Sequence, residues 1–446
     1  VIQPLDTVSG APLAAGRWGK DRSLEEQRPA VLAVPALPAL LALLGALAFI
    51  AGCQTAPAPK PKPQAYPAPA FAENWFALLP VPKPDVAERI YLSETQHLIF
   101  VYTQQNRAYV LDTSGRVLFG EQITRPGTPL RAPIATADRI IFPTADALLL
   151  FDRSGNQVDK INLGHSTRGS GAYQNDVIYV GLDYTTGERL TAIDLTRRFA
   201  PITWQVMVGG ALSGTPVVFD SVIFAGDESG RVCAVDDQGK AVWPDPGYVQ
   251  TGGVYCDLAA DEQGVYVASH DTKLYCLDRT TGLIKWTYYA SRPLSQSPVA
   301  HKNTVYQVVP EIGLAAIDKA SARGNVLPKW IARGITQWIS EDANYVYAAD
   351  ASSRIVALDK ATGKPKFQST AAHFAAFGIN QDDATIYAVT ASGRFSSARA
   401  ELRPGWIGTL VKAPDSGAYG APDRLLSDSL GRDREPANGT ALAAAR

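Results

Sequence analysis

A strand-like run ending in aspartate returns seven times along this chain: Tyr109-Val-Leu-Asp112, Leu149-Leu-Phe-Asp152, Thr191-Ala-Ile-Asp194, Cys233-Ala-Val-Asp236, Tyr275-Cys-Leu-Asp278, Ala315-Ala-Ile-Asp318 and Val356-Ala-Leu-Asp359. The aspartates are 40, 42, 42, 42, 40 and 41 residues apart, a regularity that chance does not sustain. A second apolar run precedes each aspartate by about 12 residues, as in Leu98-Ile-Phe-Val-Tyr102, Val177-Ile-Tyr-Val180 and Val305-Tyr-Gln-Val308. These runs are β-branched and aromatic and are bounded by turn residues such as Asp227-Glu-Ser-Gly230, the pattern of strands. After the aspartate comes a tight turn, as in Arg279-Thr-Thr-Gly282, where the carboxylate accepts local N–H bonds and glycine supplies a positive φ. A large aromatic closes most units: Phe119, Trp204, Trp243, Trp286, Trp330 and Phe367. A further apolar stretch opens them, clearest in Thr215-Pro-Val-Val218 and Ser297-Pro-Val-Ala300.

Four strands in about 41 residues make one blade of a β-propeller, with strands a to d running from the axis outward. Thirty-seven glycines and 31 prolines in 446 residues agree with a chain of sheet and turns. An eighth unit is incomplete: Ile386-Tyr-Ala-Val389 fits strand b and Gly393-Arg-Phe-Ser-Ser-Ala-Arg399 fits strand c, but its aspartate and closing aromatic are missing. An open blade edge would expose unpaired backbone groups. Glu73-Asn-Trp-Phe-Ala-Leu78 lies about one interval before Asp112, where the d strand of a preceding blade belongs. The expected fold is therefore all-β, an eight-bladed propeller over residues 71–403 whose last blade is closed by the N-terminal strand. A seven-bladed ring is the alternative.

Residues 1–52 read as a precursor segment. The run from Ala39 to Phe49 and on to Cys53 has about 14 apolar residues, short of the roughly 20 that span a bilayer but suited to the core of a secretory signal. Phe49-Ile-Ala-Gly-Cys53 resembles the lipobox of bacterial lipoproteins, which implies lipid attachment at Cys53. The long preceding region, with Asp21, Glu25 and Glu26 among its basic residues, departs from that pattern. Residues 53–70 are expected to form an extended tether, in which the fifteen residues 56–70, alternating proline with small residues and lysine, reach about 45 Å. Gln54 after the cysteine implies, by analogy with lipoprotein sorting, the periplasmic face of the outer membrane. Residues 404–446 turn small and polar and are expected to be a mobile tail, in which Trp406–Val411 has the composition to dock on the last blade.

The pattern Leu274-Tyr-Cys-Leu-Asp278 followed by Thr-Thr-Gly282 and Trp286 resembles the repeat of the pyrroloquinoline-quinone (PQQ)-like propeller family, over roughly residues 90–400. A lipobox, a tether and one bare propeller are also similar in layout to the propeller lipoproteins of outer-membrane β-barrel assembly. That resemblance implies a non-catalytic scaffold that binds envelope proteins, held to the membrane by its lipid and monomeric as a propeller. The alternative it brings is a quinone- or sugar-dependent enzyme with its site in the axial funnel. Quinoprotein dehydrogenases of this repeat class carry a vicinal cysteine pair, and this sequence has no Cys-Cys pair.

No chemistry-bearing constellation emerges. The five histidines (97, 165, 270, 301, 373) have no metal-ligand spacing. Gly164-His-Ser-Thr-Arg-Gly169 is one residue too long for a nucleophile elbow, and no phosphate-binding glycine loop occurs. The repeated aspartates fall in c–d turns and read as turn caps. Cys233, Cys256 and Cys276 are an odd number and read as buried small hydrophobes. No cofactor and no metal are expected. A net charge of −1 excludes binding to nucleic acid by bulk charge neutralisation.

One charge pattern stands out. The d–a segments, which share a propeller face with the b–c hairpins, carry Arg125, Arg131, Arg168, Arg292 and Arg333 together with His165 and His373. The hairpins carry Asp146, Asp183, Glu188, Asp227, Glu228, Asp271, Glu311 and Asp350. A positive inner rim suited to an anionic partner segment is expected if the arginines present a net field. Pairing of each arginine with a neighbouring hairpin carboxylate is the competing arrangement.

Overall fold

The computed structural model describes residues 71–244, 247–249, 252–320, 322–369 and 374–400. Cys53, the tether, the tail from 404 and His373 lie outside the described residues.

Eight sheets make the blades, each with four antiparallel strands, and one of them carries a fifth. Blade 1 runs from Ala87–Ser93 (a) through Leu98–Thr103 (b) and Arg107–Asp112 (c) to Val117–Gln122 (d). Blades 2 to 7 repeat the order through Pro365–Gln368. Blade 8 takes strands a to c from Phe374–Phe377, Ile386–Thr390 and Arg394–Ala400, and its d strand from Phe71–Leu78. The expected eight blades and the N-terminal closure are both found. No helix occurs among the described residues.

The middle strands read as unbroken apolar runs because neighbouring blades cover both of their faces. Leu98–Thr103 and Thr304–Val309 are buried at every residue. The outermost strands carry polar residues because one edge meets water, as in Gln157–Asn162. Core clusters sit between blades. Phe100 and Tyr102 of blade 1 meet Phe142 and Phe151 of blade 2, and Tyr306 and Trp330 of blade 6 meet Val346 and Val356 of blade 7. The seam is built the same way, with Ala77, Tyr387 and Phe395 of blade 8 packed on Val101 and Tyr109 of blade 1. Phe71 to Leu78 pair with Ala400 to Arg394 across a single bulge. Arg394 crosses this pairing to Glu73 at 3.2 Å.

Two side-chain devices repeat with the period. The turn aspartate caps its own hairpin: Asp278 accepts from the Thr280 and Thr281 backbone N–H groups and from both hydroxyls at 2.7–3.0 Å. Those donors hold its carboxyl down at about 2, with the Thr280 hydroxyl the largest cause. The closing aromatic then latches onto the next blade. Phe119, Trp204, Trp286, Trp330 and Phe367 each pair with the residue two before their own blade's aspartate, as Trp204 does with Ala192 and Trp330 with Ala316. The indole N–H donates to a turn carbonyl of the following blade: Trp204 to Asp237 O, Trp243 to Arg279 O and Trp330 to Lys360 O, at 2.7–3.0 Å. The ring lies over that turn's glycine. At Gly282, φ is +72° and a Cβ would stand 2.8 Å from Trp243.

Trp75 of the N-terminal strand makes the same latch on blade 1, donating to Thr113 O at 3.1 Å. The blade 2–blade 3 junction lacks both halves of it. Asp159 stands in the aromatic position opposite Leu150, and the blade 3 turn after Asp194 contains no glycine.

Blade 5 has a fifth strand. Gly324–Val326, from the long c–d connection of blade 6, pairs in parallel with Trp286–Tyr288. A neighbouring buried pair, Lys319 Nζ to Asp261 Oδ2 at 2.5 Å, ties the same two blades together.

Candidate functional site

The face carrying the d–a segments and b–c hairpins was read from sequence as an arginine rim ringed by acids. Hairpin geometry commits most of those acids to local bonds. Asp227 is buried and accepts from the Gly209 and Gly210 N–H groups at 2.9 and 3.0 Å, and from Ser229 and the Arg231 N–H within its own turn. Glu188 is buried and accepts from Leu212 N–H at 2.7 Å, and burial raises its pKa. Asp350 holds Ser352 N–H and Arg354, while Asp271 accepts from the Tyr275 hydroxyl at 2.5 Å. These carboxylates orient chain turns before they project any field.

The five arginines fall into three kinds. Arg168 pairs with Glu228 of the blade 4 hairpin at 3.3 Å, and Arg292 pairs with Glu311 of the blade 6 hairpin at 3.1 Å. Such exposed pairs contribute only about 0–1 kcal/mol, so a partner's carboxylate can exchange with them. Arg125 is exposed in the blade 1–blade 2 segment, and Arg333 is exposed at the end of the blade 6 d strand. Among the described residues neither is seen in an ion pair. Arg131 is half-buried and donates from Nη2 to Thr167 O at 3.1 Å. Burial is the largest cause of its lowered pKa, and the charge of Arg89 adds to it. The face also carries His165 with its ring centre 3.6 Å from that of Tyr184, tilted by 32°, and the Arg189 guanidinium 4.5 Å from the same tyrosine ring.

Arg89 carries little signal in the sequence, because a lone charge in strand a reads as solvent-facing. Register settles its place: Arg89 pairs directly with Tyr102 across the blade 1 a–b ladder, just past a bulge. Its guanidinium lies 5.6 Å from the Tyr102 ring and donates to Leu130 O at 3.2 Å, which brings it beside Arg131. The alternation Arg89-x-Tyr91 was the available signal, since residues two apart share one face of a strand.

Two clefts adjoin these elements. One of about 280 Å³ lies between the a strands of blades 1, 7 and 8, against Glu88, Arg89, Tyr91, Gln337 and Phe377. Another of about 290 Å³ lies at the blade 8–blade 1 seam, against Trp75, Glu94, His97, Asp382 and Arg399. Burial there raises the Glu94 pKa. Among the described residues no group of three His, Cys, Asp or Glu is placed to hold a metal ion. Cys233, Cys256 and Cys276 are buried free thiols, and burial pushes them up to about 11, 12 and 12.

A family model described as outer membrane protein assembly factor BamB matches residues 230–327, a stretch spanning the end of blade 4, blade 5 and most of blade 6. No match was found among curated protein sequences. Several solved structures share the fold. The crystal structure of BamB from Moraxella catarrhalis is 15% identical with a TM-score of 0.57, covering 75% of this chain and 99% of that one. The computationally designed Ika8 protein is 12% identical with a TM-score of 0.55, covering 72% and 99%. The C-terminal WD40 domain of Sif2 is 11% identical with a TM-score of 0.56, covering 76% and 99%. At such identities the structural likeness speaks for the fold alone, and the family likeness is confined to the repeat motif and the matched segment. The chain is an eight-bladed β-propeller whose repeats resemble those of PQQ-like propellers, with residues 230–327 similar to BamB.

Proposed function

We propose that this protein is a non-catalytic scaffold on the periplasmic face of the outer membrane, lipid-anchored through Cys53, that binds envelope proteins during outer-membrane protein assembly. The observation that carries the reading is the match of residues 230–327 to the BamB family model inside a fully closed propeller. A ring of blades latched through buried aromatics is a rigid platform, so partner binding need not order it first, which limits the cost of association. The d–a/b–c face supplies exposed Arg125 and Arg333 with no ion pair among the described residues, and Arg168 and Arg292 in weak, exchangeable pairs. Those groups suit an acidic partner segment.

The test is affinity capture of the full chain from detergent-solubilised envelopes. Outer-membrane assembly proteins are expected in the eluate, and their absence overturns the scaffold reading. Arg125→Glu with Arg333→Glu is expected to reduce recovery, and unchanged recovery dismisses the rim. Cys53→Ser is expected to move the protein from the membrane to the soluble fraction. Persistence in the membrane would remove the anchor.

A further inference from the structure

Blade 1 turns one face of its a–b ladder toward blade 2, and among the described residues two buried donors there, the Tyr102 hydroxyl and Arg131 Nε, have no acceptor beside a third, Arg89 Nε, whose contact is an ion pair with Glu88. Tyr102 is fully buried, and among the described residues its hydroxyl has no hydrogen-bond partner. Arg131 Nε is likewise buried and, among the described residues, without a hydrogen-bond partner. Arg89 Nε lies 2.9 Å from Glu88 Oε1 but makes no aligned hydrogen bond. Tyr91 closes the group, its ring edge-on to Tyr102 at 5.2 Å and its hydroxyl accepting from Arg89 Nη1 at 3.4 Å. Buried donors are almost always satisfied in folded proteins, so a cluster of them calls for an acceptor. Two guanidiniums of like charge held this close add to the demand, since each destabilises the other unless an anion lies between them.

We propose that Arg89, Arg131, Tyr91 and Tyr102 form a carboxylate-binding site on the blade 1 side of the junction with blade 2, reached past Arg89 and Tyr91, which line the cleft against blades 7 and 8. A carboxylate has only acceptors, two oxygens with several lone-pair directions, and so complements a set made of donors. Guanidinium forks bind it with charge-assisted, directional bonds. The local charge selects the valence. Glu88 offsets one of the two arginines, which leaves a single net positive charge and favours a monocarboxylate over a dianionic phosphate. The cleft of about 280 Å³ that Arg89 and Tyr91 line, with Phe377 in its wall, has room for a short group attached to the carboxylate. This site stands apart from the scaffold reading, because a small carboxylate binds it whether or not an envelope protein is captured.

The experiment is a calorimetric titration of the full chain with acetate in chloride buffer at constant ionic strength, with inorganic phosphate as a second arm. Acetate is expected to bind the parent protein and to bind Arg131→Gln and Arg89→Gln about tenfold or more weakly, the effect of losing a charge-assisted bond. Tyr102→Phe keeps the ring and removes one donor, so it should weaken acetate and decides the matter if an arginine variant fails to fold. Arg116→Gln, in a c–d turn on the other face, should bind like the parent. Equal acetate binding by the parent and all site variants overturns the site. Tighter binding of phosphate than of acetate overturns the monocarboxylate assignment.

Discussion

Replacing Trp75 by alanine tests whether the N-terminal strand closes the ring through the same latch as the internal blades. Trp75 is half-buried, stacked on Phe395 at 5.6 Å and tilted against Tyr387 at 6.3 Å, with its N–H on Thr113 O. An indole offers about 200 Å² of surface. Burying roughly half of that at about 25 cal/mol per Å² contributes about 2.5 kcal/mol. The N–H bond adds about 1 kcal/mol. Trp75→Ala should therefore lose about 3.5 kcal/mol, read as a lowered urea midpoint by far-UV circular dichroism. Trp75→Phe, which keeps most of the ring and loses the N–H bond, should lose about 1 kcal/mol. Asn74→Ala, an exposed neighbour on the same strand, should change stability by no more than about 0.5 kcal/mol. A Trp75→Ala protein that unfolds within about 1 kcal/mol of the parent would refute the seam latch.

Gly282→Ala should cost clearly more than Gly127→Ala in the same urea assay. Both have positive φ, which costs an alanine about 1–2 kcal/mol, but only the Gly282 Cβ would strike an indole, while that of Gly127 meets open space; equal costs would mean the ring gives way freely. Asp278 is held down at about 2 from an ordinary 3.8 by its turn donors. A depressed folded pKa stabilises above the unfolded value and is lost as pH falls through the folded one, so Asp278→Asn should flatten the decline in stability between about pH 4 and 2. An unaltered acid slope in the variant would rule out the cap as its source. Cys233, Cys256 and Cys276, buried and with raised pKa values, should resist a thiol reagent at pH 8 and react once the chain is unfolded in urea. Fast labelling of the native protein at any of the three would contradict their burial.

The repeat is legible in sequence because everything that defines a unit is local. The aspartate cap reaches donors within a few residues, as Asp278 does at Thr280 and Thr281, and the turn glycine answers to its own φ. Even closure leaves a trace, since the eighth unit lacks an aromatic and Trp75 stands one interval too early. The hairpin acids were the misleading part. Eight carboxylates in corresponding loops look like a ring of charge, but Asp227 and Glu188 turn inward to unpaired N–H groups of the d–a segments. Composition cannot reveal that choice, because it depends on which backbone donors the neighbouring connection leaves unsatisfied.

What the sequence determines by itself is the blade: its strands, its turns, the number of units and where the chain must be borrowed to finish the last one. Pairing within a blade follows from hydrophobic pattern and turn chemistry over about forty residues. Tertiary structure decides what the stacked blades bring together. Arg89 and Arg131 lie in different blades and meet only because a bulge sets Arg89 opposite Tyr102 and blade 2 then packs on that face. Gly324–Val326 becomes a strand only because the edge of blade 5 is within reach. Contacts between blades depend on the relative placement of whole sheets, a property of packed surfaces that no single repeat encodes.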